Sequence, residues 1–443
     1  MTRTERRPSP ALRIALILWR LALGLGLPLL LAYLWHRGRR DPRYRLHWNE
    51  RFGGGPVLRD AVWVHAVSLG EMRSALPLVR ALLDSGHRVV TTHLTPAGRD
   101  AAKDALAPEI AAGRALVRYL PVDLAFAWRR ILPRARPRLV IVLEIEIWPT
   151  MIAECARAGV PLVLANSQIP ARSWPRARRL ARWVGHPASL VAGVLAKSER
   201  HAARFREIGA PNVQAAGELR FDQPIPARLT EPAPGFRAAL GGRGVVTLAS
   251  VIAGEEPVFL DAIRKVQASV EPAPLFVWVP RAPELFDATA AMLSGAGQQV
   301  VRRSRALDEA LHAAGGLGEA DILLGDSFGE MYFYLAVADL AVVGGGFVPK
   351  GAHNVIEPLA LRKPVLVGPH VWTIEYPGEE ARAAGVLEIC ADAEVLATRI
   401  AALVADPEAR AALAERASRF FADHSGAAAR SLRLLSPWLE DRR

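Results

Sequence analysis

Three stretches of this chain hold side chains whose types and spacing could do chemistry. The first is Ser68-Leu69-Gly70-Glu71, which directly follows the apolar run Ala61–Val67. A carboxylate at the end of a buried strand can take a proton from an attacking hydroxyl. It can equally complement a helix N-terminus, and spacing leaves both readings open. Because proline is tolerated in a helix's first turn, Pro77 points to Ser74 as the N-cap, with Glu71 in the preceding loop and Gly70 giving the backbone its turn. The second stretch is Glu144-Ile145-Glu146-Ile147-Trp148-Pro149. One of its two acids is expected to face a binding cleft; a solvated pair partnered by arginines is the other reading. The third runs through Gly344-Gly345-Gly346 to Gly351-Ala352-His353-Asn354-Val355-Ile356-Glu357-Pro358. Its glycines permit backbone to approach a phosphate at a helix starting near Asn354, while Asn354 and Glu357 also make a variant capping box. No Walker, dinucleotide-fingerprint, His-Glu-x-x-His or Asp-x-Asp motif is present.

The elements that must position these residues alternate strand and helix. Ala61–Val67, Arg88–His93, Leu139–Ile145, Val160–Ala165 and Leu190–Ala196 read as buried parallel strands. A second series comprises Val245–Ser250, Leu275–Val279, Asp321–Leu324, Leu340–Val343 and Pro364–Val367. Between the two, periodicity fails and Pro224, Pro226, Pro232 and Pro234 read as a linker. The expected organisation is a basic N-terminal segment with a membrane anchor over 1–45, an α/β domain over 46–223, a linker over 224–242 and a second α/β domain over 243–443. In such doubly wound sheets ligands bind beyond the carboxyl ends of the strands, and a cleft between the two domains is expected.

Composition narrows the partners. The chain has 443 residues, 51% hydrophobic and 23% charged, which excludes disorder. Cys155 and Cys390, the two cysteines, exclude a disulfide scaffold and suit a reducing compartment. Of the formal net charge of +12, the first 60 residues contribute +8, from twelve arginines against Glu5, Asp41, Glu50 and Asp60. Within them Ile14–Trp35 is apolar but for Arg20, and long enough to cross ~30 Å of hydrocarbon, with Arg20 snorkelling and Pro28 kinking the helix. This reads as a retained anchor, spanning or embedded. Basic residues flank the stretch on both sides, so the positive-inside rule orients it weakly; the five arginines from Arg37 to Arg45 favour a cytoplasmic main body. Arg172, Arg176, Arg178, Arg179 and Arg182 beside Trp174 and Leu180 form a second basic surface suited to anionic lipids or acceptor phosphates. No nucleic-acid module is present, so nucleic acid is not an expected partner.

Taken together, the apolar anchor and the blocks VWVHAVSLGEM, EIEIWP, GELRFD, ASVIAGEE, VPRAPE, GDSFGEM and VGGGFVPKGAHNVIEPLAL resemble a known family. It is that of the 3-deoxy-D-manno-octulosonic acid (Kdo) transferases, bacterial glycosyltransferases of the lipopolysaccharide inner core. The resemblance implies a GT-B fold of two Rossmann-like domains, the first for acceptor and the second for nucleotide sugar. It implies CMP-Kdo as donor, a lipid A precursor as acceptor, and the cytoplasmic face of the inner membrane as the workplace. By the same resemblance Glu71 falls on the general base, Glu144 on a second functional acid, and Arg220 on the family's lysine. Pro280, Arg281, Phe328, Gly329, Glu330 and Asn354, Val355, Ile356 and Glu357 fall on contacts to CMP. Arginine and helix N-termini would then stabilise the leaving phosphate with no metal.

The chain departs from the family pattern at Ile145, at Asn166-Ser167-Gln168, at Glu218 and Arg220 in Gly217–Asp222, at Ser250-Val251-Ile252 and at Ala282. Arginine for lysine keeps the charge and changes its geometry. The expected activity is inverting Kdo transfer. A relative using another acceptor or another CMP-linked ulosonic acid is the first alternative, a non-catalytic membrane-bound binding protein the second, and a nucleotide-sugar epimerase the third.

Overall fold

The computed structural model describes residues 8–144, 146–313 and 317–440. The chain divides into two compact units, Met1–Gln223 with Ser425–Arg443, and Pro224–His424. Each holds a seven-stranded, wholly parallel sheet.

The first sheet contains β1 (Val62–His65), β2 (Val89–His93), β3 (Ala115–Tyr119), β4 (Leu139–Leu143), β5 (Leu162–Ser167), β6 (Gly193–Ala196) and β7 (Val213–Ala215). Their order is β3-β2-β1-β4-β5-β6-β7. The winding direction therefore reverses between β1 and β4, whose registers run Val62 opposite Leu139 to His65 opposite Val142. Apart from half-buried Leu116, the Leu, Val and Ile of these strands are buried on both faces, as helix-covered parallel strands require. β3 escapes a hydrophobic reading because Arg118 lies in its middle. That guanidinium is fully buried and donates to the carbonyls of Glu50, Gly54 and Pro56 at 3.2, 2.8 and 3.0 Å. β7, β10 and β14 are three-residue strands, too short for alternation to register.

The second sheet contains β8 (Val245–Val251), β9 (Leu275–Pro280), β10 (Val300–Arg302), β11 (Ile322–Leu324), β12 (Leu340–Val343), β13 (Val365–Val367) and β14 (Leu387–Ile389). Its order is β10-β11-β9-β8-β12-β13-β14, with the reversal between β8 and β12.

Two boundaries differ from the sequence reading. Residues 224–242 are folded into the second unit as the short helices Ala227–Thr230 and Ala233–Ala239, and Leu229, Phe236 and Leu240 are buried in its core. Pro226 and Pro232 precede helix starts, where a missing N–H costs nothing, so prolines that look like spacers mark N-termini. Residues 425–443, read as the end of the second domain, return to the first unit. The helix Ala427–Leu439 buries Ala427, Ala428, Leu435 and Leu439 there. Asp222 holds its N-terminus, accepting from the Gly426 and Ala428 amides at 2.5 and 2.6 Å.

The N-terminal helix Pro10–Arg37 is long and apolar enough to cross a membrane. Ser9 caps it, its Oγ accepting from the Leu12 amide at 3.2 Å.

Candidate functional site

The reversal between β1 and β4 places the loops after those strands side by side, at the switch point where open α/β sheets bind ligands. Glu71 comes from the first and Glu144 and Glu146 from the second. The helix after β1 starts earlier than Pro77 suggests: it runs Leu69–Asp84, with Ser68 as N-cap and Pro77 inside. Ser68 Oγ accepts from the Glu71 amide at 3.4 Å, and Glu71 Oε2 reaches back to the Val67 amide at 2.7 Å. Glu71 thus belongs to the first helical turn, in an arrangement close to a capping box. Gly70 is not the turn residue expected of it. Its φ is not positive, and a Cβ there would meet nothing nearer than Ser68 Oγ at 4.0 Å. The cap makes the turn, and the glycine leaves open space beside Glu71.

Capping does not exhaust Glu71. Burial pushes its carboxyl up to about 7, with the nearby negative charges of Glu144 and Glu146 adding to the effect, while the Val67 amide and Arg220 oppose it. A carboxylate poised there can accept a proton at neutral pH. The Glu146 carboxyl is also raised, chiefly by burial. Both acids of the second loop therefore act on Glu71, where one alone was expected to face the cleft; residues two apart already share a face on a strand. The strand ends at Leu143, and Glu144 adopts a left-handed backbone with φ 62°. Such a conformation costs a non-glycine residue about 1–3 kcal/mol and needs outside support. Ile145 lies outside the described residues.

The support comes from Lys197, which the sequence did not single out, and from Asn166, Glu218 and Arg220, which it named only through the family resemblance. Lys197, at the end of β6 and 3% exposed, lies 2.6 Å from both Glu144 and Glu218. Asn166, at the end of β5, donates through Nδ2 to Glu144 and Glu218 at 2.9 Å each and accepts from the Leu219 amide at 2.9 Å. Burial opposes ionisation of Glu218, but the Lys197 and Arg220 charges and the Asn166 amide outweigh it and hold its carboxyl low. Arg220 sits 3.7 Å from Glu144 and donates through Nε to Ser74 Oγ at 3.0 Å. Ser74, expected as the N-cap, is instead buried in the second turn and donates to the Gly70 carbonyl at 3.0 Å. It links Arg220 to the helix that carries Glu71. The one available signal for Lys197 was a lysine ending an apolar strand, Leu190–Ala196.

In the second unit, Pro280 and Arg281 end β9, Phe328–Glu330 follow β11, and Asn354–Glu357 follow β12, all at carboxyl ends of strands. Phe328 is 71% exposed. Glu330 is engaged within the protein. It accepts from Arg303 Nε and Nη2 at 2.7 and 2.8 Å, and from the Ser327 and Tyr334 hydroxyls. The Asn354 side chain accepts from the Ile356 amide at 3.0 Å, and the helix begins at Ile356, with Glu357 in its first turn. His353 was not singled out: burial and then the Arg281 charge push its imidazole down to about 4, so it is neutral at pH 7.

The glycine stretch departs from the phosphate-cradle expectation. The Gly345 amide donates to Glu255 at 2.8 Å and that of Phe347 at 3.0 Å, so these two donors are occupied by a buried carboxylate. Absence of side chains here serves backbone packing: a Cβ on Gly346 would stand 2.8 Å from the Gly368 nitrogen.

A family model described as 3-deoxy-D-manno-octulosonic-acid transferase (kdotransferase) matches residues 46–223. The chain is 38% identical over 428 residues to a 3-deoxy-D-manno-octulosonic acid transferase of Bordetella pertussis, covering 93% of this chain and 96% of that one. It is 30% identical over 423 residues to the Haemophilus influenzae protein of the same description, again covering 93% and 96%. Its fold is similar to a glycosyltransferase from Rickettsia africae, with a TM-score of 0.57 at 12% identity, covering 86% of this chain and 99% of that one.

Two outcomes are expected of this site. Lys197→Met removes the cation between two buried carboxylates and should cost about 3–5 kcal/mol in urea unfolding. Adding Glu218→Gln should return part of that loss, a coupling that a double-mutant cycle reads directly. Separately, Glu71 must be ionised to accept a proton, so activity should fall about tenfold per pH unit below 7. Its raised carboxyl favours folding in the acid range, an effect lost as pH rises through about 7. Glu71→Gln should therefore melt no lower than the parent at pH 8.

Proposed function

The chain belongs to the 3-deoxy-D-manno-octulosonic acid transferase family and is a glycosyltransferase of GT-B-like fold; we propose that it transfers Kdo from CMP-Kdo to a lipid A precursor with inversion at the anomeric carbon. One observation carries the mechanism: a carboxyl poised near neutrality, Glu71, stands among Glu144, Glu146 and Arg220 at the β1–β4 switch point. In this reading the acceptor hydroxyl attacks the anomeric carbon as the bond to CMP breaks. Glu71 takes the hydroxyl proton, and the new bond forms on the face opposite the departing phosphate. Glu144, fixed by Lys197 and Asn166, supports the positive charge that develops on the sugar. Arg220 supplies a cation toward the anionic sugar, and Arg281 neutralises the leaving phosphate. Asn354–Glu357 and Phe328 hold the nucleotide, with Glu357 accepting from ribose hydroxyls. No metal has a part in this scheme.

The work is assigned to the cytoplasmic face of the bacterial inner membrane, with attachment through Pro10–Arg37. The helix Trp174–Trp183 adds a basic surface with Leu180 40% and Trp183 78% exposed among arginines, fit for anionic headgroups.

Release of CMP and mass gain on the lipid, measured with purified full-length protein, CMP-Kdo and lipid A precursor, test the activity; no transfer to this acceptor under any detergent condition would sink the assignment. Glu71→Gln should lower turnover about 10²–10⁴-fold with donor binding retained. Arg220→Ala should lower kcat about 10²–10³-fold, the scale for one preorganised charge donor, and Arg220→Lys should recover part of it. A change confined to the acceptor KM would move Arg220 to acceptor binding. Unchanged kinetics would leave it a strut between Ser74 and Glu144.

A further inference from the structure

The N-terminal helix is fastened to the first unit at both ends, and this decides how it meets a bilayer. Near its start, Ser9 Oγ donates to the Val184 carbonyl at 3.3 Å, and Leu12 and Leu16 are buried in the core of the unit. One turn on, Trp19 Nε1 donates to Asp123 at 3.1 Å, and that carboxylate also accepts from the Thr150 and Met151 amides at 3.0 and 2.7 Å. Arg20 pairs at 3.0 Å with Glu154, whose side chain is 1% exposed and which also pairs with Arg129 and Arg157. At the far end Leu34 is buried, the Arg37 guanidinium lies 4.7 Å from the Tyr44 ring centre, and Arg45 donates to the Trp35 carbonyl at 2.9 Å. The segment that returns from the helix is itself embedded, for Tyr44 is buried and Arg43 pairs with Asp100 at 2.7 Å.

A 28-residue helix is roughly 42 Å long. If it crossed ~30 Å of hydrocarbon, its two ends would lie in opposite headgroup layers, and one set of these contacts would have to break. Arg20 would also lose its carboxylate partner inside the apolar layer. Most of the helix is exposed, and along the side facing away from the unit Ile14, Ile17, Leu21, Leu25 and Leu29 follow helical spacing and are 49–82% exposed. The opposite stripe, Leu12, Leu16, Arg20, Leu23, Leu27 and Leu34, is buried or half-buried. Beside the C-terminal half opens a recess of about 660 Å³ lined by Leu31, Trp35, Trp48 and Phe52, with Arg39 at hand.

We infer that Pro10–Arg37 lies in the plane of one leaflet of an anionic phospholipid bilayer, rather than across it. The outer apolar side chains enter the acyl boundary, Arg13, Arg37, Arg39 and Arg40 meet headgroup phosphates, and both ends of the helix stay on the side of the first unit. The basic helix Trp174–Trp183 ends next to the Ser9–Val184 contact. This rests on the membrane attachment proposed above and specifies its geometry.

Topology separates the two. Full-length protein carrying Thr4→Cys or Ser85→Cys is labelled with a membrane-impermeant maleimide in right-side-out spheroplasts and in inverted vesicles; native Cys155 and Cys390 are buried. In-plane placement predicts that both introduced cysteines label in the same preparation, within about twofold, and in the other only after detergent. Labelling of Thr4→Cys in one preparation and of Ser85→Cys in the other would establish a spanning helix and overturn the inference while leaving attachment intact. Absence of the protein from sedimented membranes would overturn attachment as well. Arg20→Leu provides a second measurement: a docked helix loses its clasp, and Tm in detergent should fall by roughly 2–4 °C. An unchanged or higher Tm, as expected of a more apolar spanning segment, would count against docking.

Discussion

A buried ammonium cannot stand without partners, and Lys197 binds two. Lying 2.6 Å from Glu144 and from Glu218, it joins the end of β6 to the loop after β4 and to the turn Leu219–Asp222. Asn166 bridges the same two acids, and Arg220 carries the connection through Ser74 to the helix bearing Glu71. The left-handed backbone of Glu144 persists because these bonds fix it. Such a network is worth having only when every member is satisfied. The glutamate at 218 and the arginine at 220, which look like separate departures from the family motif, are parts of one arrangement in which a buried acid gains Lys197 and retains a cation beside it.

The two units share a topology and use its switch point differently. In the first, the adjoining loops between β1 and β4 carry ionisable side chains, one held near neutrality by partial burial. In the second, the loop after β12 is occupied from within: Glu255 takes the amides of Gly345 and Phe347. Burial raises that carboxyl while the amides oppose the rise. In the same unit the Arg281 charge, together with burial, keeps His353 neutral. Glu330, paired with Arg303, shows how a motif residue can be held by the fold itself.

Much of this was legible without coordinates. Parallel strands buried on both faces announce themselves as apolar runs, so ten strands and two α/β units follow from hydropathy, and the position of Glu71 behind such a run follows with them. The missed strands had physical causes: Arg118 interrupts β3 with a charge satisfied by carbonyls far away in sequence, and three-residue edges carry no period. Prolines misled twice, since Pro77 is accommodated inside a helix and Pro226 and Pro232 stand before helix starts.

What the sequence determined by itself is what depends on neighbours along the chain: the strand–helix alternation, the apolar N-terminal helix, and the motif blocks that place the chain in its family. What the tertiary structure decided is where charges end. Spacing could not say that Arg20 meets Glu154, that Glu144 and Glu218 share Lys197, that Asp222 caps a helix two hundred residues later, or that Glu255 fills a glycine loop. Each contact joins residues at least 21 positions apart. The cost of a buried charge is local, but the partner that offsets it is chosen by the fold.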